Sequence, residues 1–333
     1  MQAVLPLKTE RTLAELNELR RQTAKEVTAR AQLEFQKRQS DAPTIELQRA
    51  WFRSMRNVLE EVDTAVRCIP TRTPWYFLDI GCCPGGFSSY ILNKNLFATG
   101  MGISLPVESG GHSFLLEDEL HPRLDLHMAD LTYYQLGPYP IADTRLQPLP
   151  FSDHQFDMVL LDGHPLRTAP ESQGGGRKRM SDRLLVAQLV ICLKAVAASG
   201  TLVIKLSKPE RVVTAKIMYM MWILAADVAT WKPVCMHATR DTFYFIAKGV
   251  GLGRGKALWA QWLWELQALW VQLTWGGSQG KGRTLEEEDF DFVVSTQEMR
   301  KYFGERLGAL SRPIWEVQKQ SMEGWKKAAA DGF

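Results

Sequence analysis

Two residues sit against the grain of their surroundings. Lys205 lies inside the apolar run TLVIKL, and Asp162 closes the apolar run FDMVLLD. A lysine among strand-core residues either runs its stem out to water or has an assigned partner for its amine. Both residues fall at strand ends, so a shared sheet edge would set a carboxylate beside an amine and make a paired site. A third feature is FLDIGCCPGGFSSYIL, Phe77 to Leu92, in which an apolar run ending in Asp79 turns at Gly81 and bends again at Pro84, Gly85 and Gly86. Such a bend exposes backbone N–H groups at a helix start and clears the space above them. It can cradle a phosphate, or the carboxylate and sugar of a nucleoside-containing ligand; it can also be a tight turn and nothing more. The dinucleotide pattern GxGxxG is absent, because Cys83 and Gly86 occupy the positions that follow Gly81, and so is the phosphate-loop GK[ST]. Asp130 closes LHMAD, where its carboxylate either accepts from an adenine amino group or caps a turn.

The elements that must position these groups alternate. From Trp75 to Gly249 the chain reads as the strand YFLDI, a helix after Gly86, strands near LFATGMGI and DLHMAD, the strand FDMVLLD, a helix from about Asp182 to Ala198, the strand TLVIKL, a helix from about Arg211 to Ala226, a strand ending near Cys235 and the strand DTFYFIAKG. Strands separated by helices predict an α/β architecture, a largely parallel sheet covered on both faces, with ligands bound beyond the carboxyl ends of its strands. Helix-forming residues fill 11–38, SDAPT breaks that run, and a second helix is expected over about Ile45 to Val66. Beyond Gly249 comes ALWAQWLWELQALWVQLTW, whose Trp259, Trp262 and Trp270 fall near one helical face. That face either packs on the sheet or offers an aromatic surface to a protein partner or RNA. The expected organisation is a helical extension over 1–44, the sheet domain over 45–249 and a mainly helical, Trp-rich extension over 250–333.

In order and in kind, FLDIGCCPGGFSSYIL, FDMVLLDGHP and GTLVIKL resemble the FtsJ-like family of S-adenosylmethionine-dependent RNA ribose 2′-O-methyltransferases over about residues 45 to 249. The resemblance implies a Rossmann-like methyltransferase sheet, S-adenosyl-L-methionine as cofactor, RNA as substrate and a lysine, aspartate, lysine and glutamate tetrad beside the methyl donor. The family's glycine loop falls on Asp79, Gly81, Cys83, Pro84, Gly85, Gly86 and Phe87, its adenine-side aspartate on Asp130, its catalytic aspartate on Asp162, which also borders the cofactor, and its central lysine on Lys205. Its first lysine falls on Arg53 within RAWFR, with Lys37 as another candidate. Alignment on Tyr244 puts its glutamate at Thr242, with Asp241 one residue and therefore one strand face away. No carboxylate follows the second strand; Ser104 and Glu108 stand nearby. The implied reaction is methyl transfer to a ribose 2′-hydroxyl, with another acceptor or a methyltransferase-shaped interaction module as alternatives.

RNA would need positive groups around the acceptor site. Arg177, Lys178 and Arg179 are expected on a glycine-rich loop, either against phosphates or simply solvated, and Lys208, Arg211, Arg240, Arg20 and Arg21 would extend that surface. The 333 residues carry a formal charge of only +3, with 45% hydrophobic and 23% charged residues, ordinary globular values that do not by themselves argue for nucleic acid. No apolar run approaches a membrane span. The five cysteines show no metal-pair spacing, and with no signal-peptide pattern a reducing intracellular compartment, cytoplasmic or nuclear, is expected.

Overall fold

A computed structural model of the chain describes residues 11–25, 43–165 and 176–330. The strands are β1 (Trp75–Ile80), β2 (Ala98–Ser104), β3 (Leu124–Met128), β4 (Phe156–Leu161), β5 (Val196–Ser207), β6 (Ala225–Trp231) and β7 (Thr242–Val250). They form one seven-stranded sheet in the order β3-β2-β1-β4-β5-β7-β6. The first five are parallel, and β7 inserts antiparallel between β5 and β6. Strand order reverses between β1 and β4, so the crevice expected of such sheets opens beyond Ile80 and Leu161.

The helices are α1 (Arg11–Lys25), α2 (Ile45–Val66), α3 (Gly86–Lys94), α4 (Gly176–Ala195), α5 (Val212–Leu224), α6 (Trp259–Trp275) and α7 (Thr296–Ala330). Side chains alternate along each strand and so feed two separate cores. Phe77, Met158, Leu160, Val203 and Ile246 point to the face covered by Met55, Val58, Leu59 and Val62 of α2 and Phe87 and Ile91 of α3. Leu78, Ile80, Val159, Leu161, Ile204 and Phe245 point to the other, where α4, α5, α6 and α7 pack. Thr44 starts α2 by accepting the Leu47 N–H at 3.2 Å.

Trp262, Leu266, Trp270 and Leu273 of α6 are buried in the same core as the sheet, while Trp264 stays 46% exposed. The tryptophan face is therefore packing surface. The terminal helices meet one another: Leu13 and Leu16 of α1 pack with Trp315 and Met322 of α7. None of the described helices is long and apolar enough to cross a membrane.

Three boundaries differ from the sequence reading. Helix α4 begins at Gly176, which puts Arg177, Lys178 and Arg179 in its first turn instead of on a loop. Lys178 ties that turn down, donating to the Leu285 carbonyl at 3.2 Å and lying 3.5 Å from Asp182. Strand β5 starts at Val196, inside the stretch expected to end a helix. Strand β6 stops at Trp231 and does not reach Cys235, since Pro233 has no N–H to donate to a ladder. Lys37 lies outside the described residues.

Candidate active site

The alternation that builds the α2/α3 core also selects the chemistry. Asp79 stands two residues after Phe77, Asp162 two after Leu160, and Lys205 two after Val203, so all three continue onto the α2/α3 face at the carboxyl edge of the sheet. Tyr244 is the register partner of Lys205 on β7 and shares that face. The four converge. Lys205 Nζ lies 2.9 Å from Asp162 Oδ2 and donates to the Asp162 carbonyl at 2.6 Å. Tyr244 Oη donates to Asp162 Oδ1 at 3.0 Å. The carboxylate is thus held from both sides, and with 17% and 7% side-chain exposure the lysine and aspartate reach the surface only at their tips. Burial and the Asp162 charge hold the Tyr244 phenol well above its usual range, so it remains a donor.

The cleft beside this group has a cavity volume of about 130 Å³ and opens to solvent. Gly81, Cys83, Ser104, Asp130, Thr132 and Arg183 are among its walls. Gly81, at φ +78°, needs its glycine twice: the turn is left-handed, and a Cβ would sit 2.7 Å from the Gly163 backbone. Gly86 serves packing, since a Cβ there would fall 2.4 Å from the Phe52 carbonyl of α2. Gly85 is the α3 N-cap at φ +112°, and the peptide joining Cys83 to Pro84 is cis. Phe87 is buried edge-on to Tyr244, with centroids 6.0 Å apart. The cleft wall therefore takes Gly81 and Cys83 from the bend, while Pro84, Gly85, Gly86 and Phe87 shape it from beneath.

Asp130 does both things its position allows. It accepts from the N–H and hydroxyl of Thr132, each at 2.8 Å, starting a short 3-10 turn, and it lines the cleft. Arg183 braces the turn by donating to Thr132 Oγ1 at 2.7 Å. Ser104, at the end of β2, accepts the Cys83 N–H at 3.4 Å and faces the cleft, whereas Glu108 is exposed on the following 3-10 turn.

Asp79 is completely buried. Its Oδ2 accepts from Ser88 at 2.8 Å, but Oδ1 has no partner. Burial, offset in part by Ser88 and reinforced by the Asp162 charge, holds this carboxyl up at about 7. The unpartnered oxygen is sealed beneath the glycine bend, behind the cleft wall. Because the folded pKa lies above the unfolded value of about 3.9, the folded state binds the extra proton between the two, and stability falls as pH rises through that window. Without ligand, the unfolding midpoint of the wild type should drop between pH 5 and pH 8 relative to Asp79→Asn, which lacks this titration; parallel pH profiles would refute the assignment.

The outer family positions diverge. Arg53 is exposed on α2 on the flank of Arg56, which reaches toward Glu117 at 3.6 Å. Ser54 and Glu61, on the opposite flank, meet the β6–β7 connection. No hydrogen bond or ion pair among the described residues joins Arg53 to Asp162 or Lys205. Thr242 follows the alternation onto the Tyr244 face, while Asp241 is committed elsewhere, 2.8 Å from Arg20 of α1 and 3.2 Å from Lys208. Burial works to raise the Asp241 pKa, but Arg20, Gln318 and Lys208 outweigh it and keep it below the usual range. The expected basic surface is thus partly neutralised: Arg20 also pairs with buried Glu210 at 2.7 Å.

Sequence reading did not pick out the β6–β7 connection. Lys232, 4% exposed, donates to the carbonyls of His237, Arg240 and Thr242, pinning the turn, and burial pushes its amine down to about 7. His237 on that turn is pushed down to about 3 by burial and by the charges of Lys205, Arg240, Lys232 and His164, and so is neutral beside them. A lysine directly before Pro233 was the available signal.

This sheet, with β7 turned antiparallel and a glycine bend after β1, is a Rossmann-like methyltransferase fold. The family model for "FtsJ-like methyltransferase" matches residues 49–250, and the chain belongs to that family. It is 27% identical over 190 residues to the cap-specific mRNA (nucleoside-2′-O-)-methyltransferase 1 of Bos taurus, covering 54% of this chain and 22% of that protein. The Homo sapiens protein of the same name is 26% identical over the same span and coverage. The match thus takes in about a fifth of the length of these relatives. Among solved structures, a ribosomal RNA methyltransferase from Plasmodium falciparum matches at TM-score 0.40 and 18% identity, covering 60% of this chain and 97% of that one.

Proposed function

We propose that this chain transfers a methyl group from S-adenosyl-L-methionine to a ribose 2′-hydroxyl of RNA. The observation that carries the reading is the Lys205 amine fixed on Asp162, itself fixed by Tyr244, at the edge where the cleft opens. Bound there, S-adenosylmethionine would supply an electrophilic methyl group. Gly81 and Cys83 would hold its amino-acid end, Ser104 its ribose and Asp130 its adenine.

The chain's own task is alignment and proton handling. A ribose hydroxyl is a weak nucleophile while fully protonated, so a positioned amine that polarises it, or takes its proton as attack proceeds, lowers the barrier. Lys205 performs that role. Asp162 aims the amine but also favours its charged form, so release of the lysine proton needs compensating positive charge. Partial dehydration of the amine, whose side chain is 17% exposed, and the positive charge of the bound cofactor would favour that release. Thr242 takes the place of the family glutamate as a neutral hydroxyl, and Arg53 takes that of the first lysine at the solvent edge.

That neutral Thr242 also favours a second reading, in which the fold binds RNA or protein without transferring methyl. Incubation with labelled S-adenosylmethionine and total RNA, followed by nucleoside mapping, separates the two. Ribose-methylated nucleosides are expected; a base-methylated product would refute ribose transfer, and absence of label from RNA, with cofactor binding intact by calorimetry, would favour the binding module. The C-terminal extension uses its tryptophans for packing, so a protein partner there would meet the exposed Trp264 side of α6.

A further inference from the structure

Three flat rings lie in a row at the mouth of the cleft. Trp51 of α2 lies against His112 with ring centroids 5.1 Å apart and planes inclined by 60°, and His112 lies 6.2 Å from His164, inclined by 34°. His112 and His164 belong to the cleft wall, whereas Trp51 does not, so the row runs from the rim outward onto α2. At its inner end it begins two residues from Asp162, and the His164 ring lies 3.5 Å from the Asp162 carbonyl that also receives the Lys205 amine. His164 is exposed, and Trp51 and His112 are half-buried. Burial lowers the His112 pKa and keeps its ring neutral, and its Nδ1 has no hydrogen-bond partner.

Resting on the reading of the site as an RNA ribose methyltransferase, we infer that Trp51, His112 and His164 form a stacking step for the base of the acceptor nucleotide or its immediate neighbour, and that the substrate is therefore unpaired RNA. A ribose presented to Lys205 carries its base one sugar away, within the span of a row that starts beside Asp162. Bases in a duplex are stacked on one another and cannot lie on protein rings, while splayed bases of single strands stack on aromatic and histidine side chains regardless of sequence.

The test is equilibrium binding of a short single-stranded oligoribonucleotide, and of a duplex of the same sequence, to the full chain in the presence of S-adenosylhomocysteine. Wild type should prefer the single strand. Trp51→Ala should weaken single-strand binding roughly tenfold, the loss of one base stack, and Trp51→Phe should restore most of it. His164→Ala should weaken it as well. Calorimetry with S-adenosylhomocysteine should give the same affinity for Trp51→Ala as for wild type, which shows that the fold is intact. Single-strand affinity unchanged in both alanine variants, equal binding of the duplex, or no RNA binding by wild type would overturn the inference. Ring-dependent RNA binding without methyl transfer would uphold it while sinking the catalytic reading. Ribose methylation with unaltered binding by Trp51→Ala would do the reverse.

Discussion

Lys205→Ala is expected to lower ribose methylation by roughly two to four powers of ten while leaving S-adenosylmethionine affinity nearly unchanged. In the proposed reaction the amine meets the acceptor, and Lys205 is not among the residues that wall the cleft. Asp162→Ala should also depress turnover, by a different factor, because the amine would keep its bond-forming capacity but lose its aim. The double variant should be barely worse than the poorer single one, since one arrangement cannot be lost twice. Tyr244→Phe removes only the 3.0 Å bond to Asp162 Oδ1, and should cost less than either. Single-turnover rates with mapped ribose product are the measurement. Full ribose transfer by Lys205→Ala would overturn the mechanism even with the fold and cofactor assignments intact.

The second large effect is on stability. Trp270 is completely buried on α6, in the core shared with the sheet, with Trp275 edge-on at 5.2 Å. Trp270→Ala should destabilise by about 3–5 kcal/mol, the usual result of emptying so large a core position. Its indole N–H has no hydrogen-bond partner, so Trp270→Phe forfeits volume but no bond and should cost much less. Trp264→Ala, at an exposed position of the same helix, should change the denaturant midpoint little. Equal losses at 264 and 270, read by urea unfolding of the whole chain, would contradict a C-terminal segment built into the main core.

What could be read from the sequence follows from what is local. Runs such as FDMVLLD and TLVIKL announce strands by composition, and alternation assigns Asp162 and Lys205 to one face once the strands are granted. The same rule separates Thr242 from Asp241 before any coordinates exist, and Asp241 indeed turns to Arg20 and Lys208. Which side of a helix meets the site is not local. The motif resemblance at RAWFR suggests a place for Arg53, but only the packing of α2, through Phe52 on Gly86 and Glu61 on the β6–β7 connection, shows that its guanidinium faces water. Arg177, Lys178 and Arg179 read as loop residues because the tether from Lys178 to Leu285 that holds their helical turn spans 107 positions. Tyr244 served as an alignment mark, and its hold on Asp162 needed the antiparallel register of β5 and β7. Lys232 was hidden for the same reason: its three acceptors are carbonyls, which carry no trace in side-chain identity.

The contact of α1 with α7 has a temporal side. Arg20 bonds Gln318 across 298 positions of chain, and Leu16 is buried in one cluster with Leu13, Trp315 and Met322. Within this sequence α1 therefore meets the apolar face of α7 only after the sheet between them has been made, because distant pairings come late in folding. The sheet from β1 to β7 can condense in the meantime, but Asp241 and Glu210 wait beside it for Arg20. Docking of α1 on α7 is thus a long-range pairing laid over a sheet that is already complete.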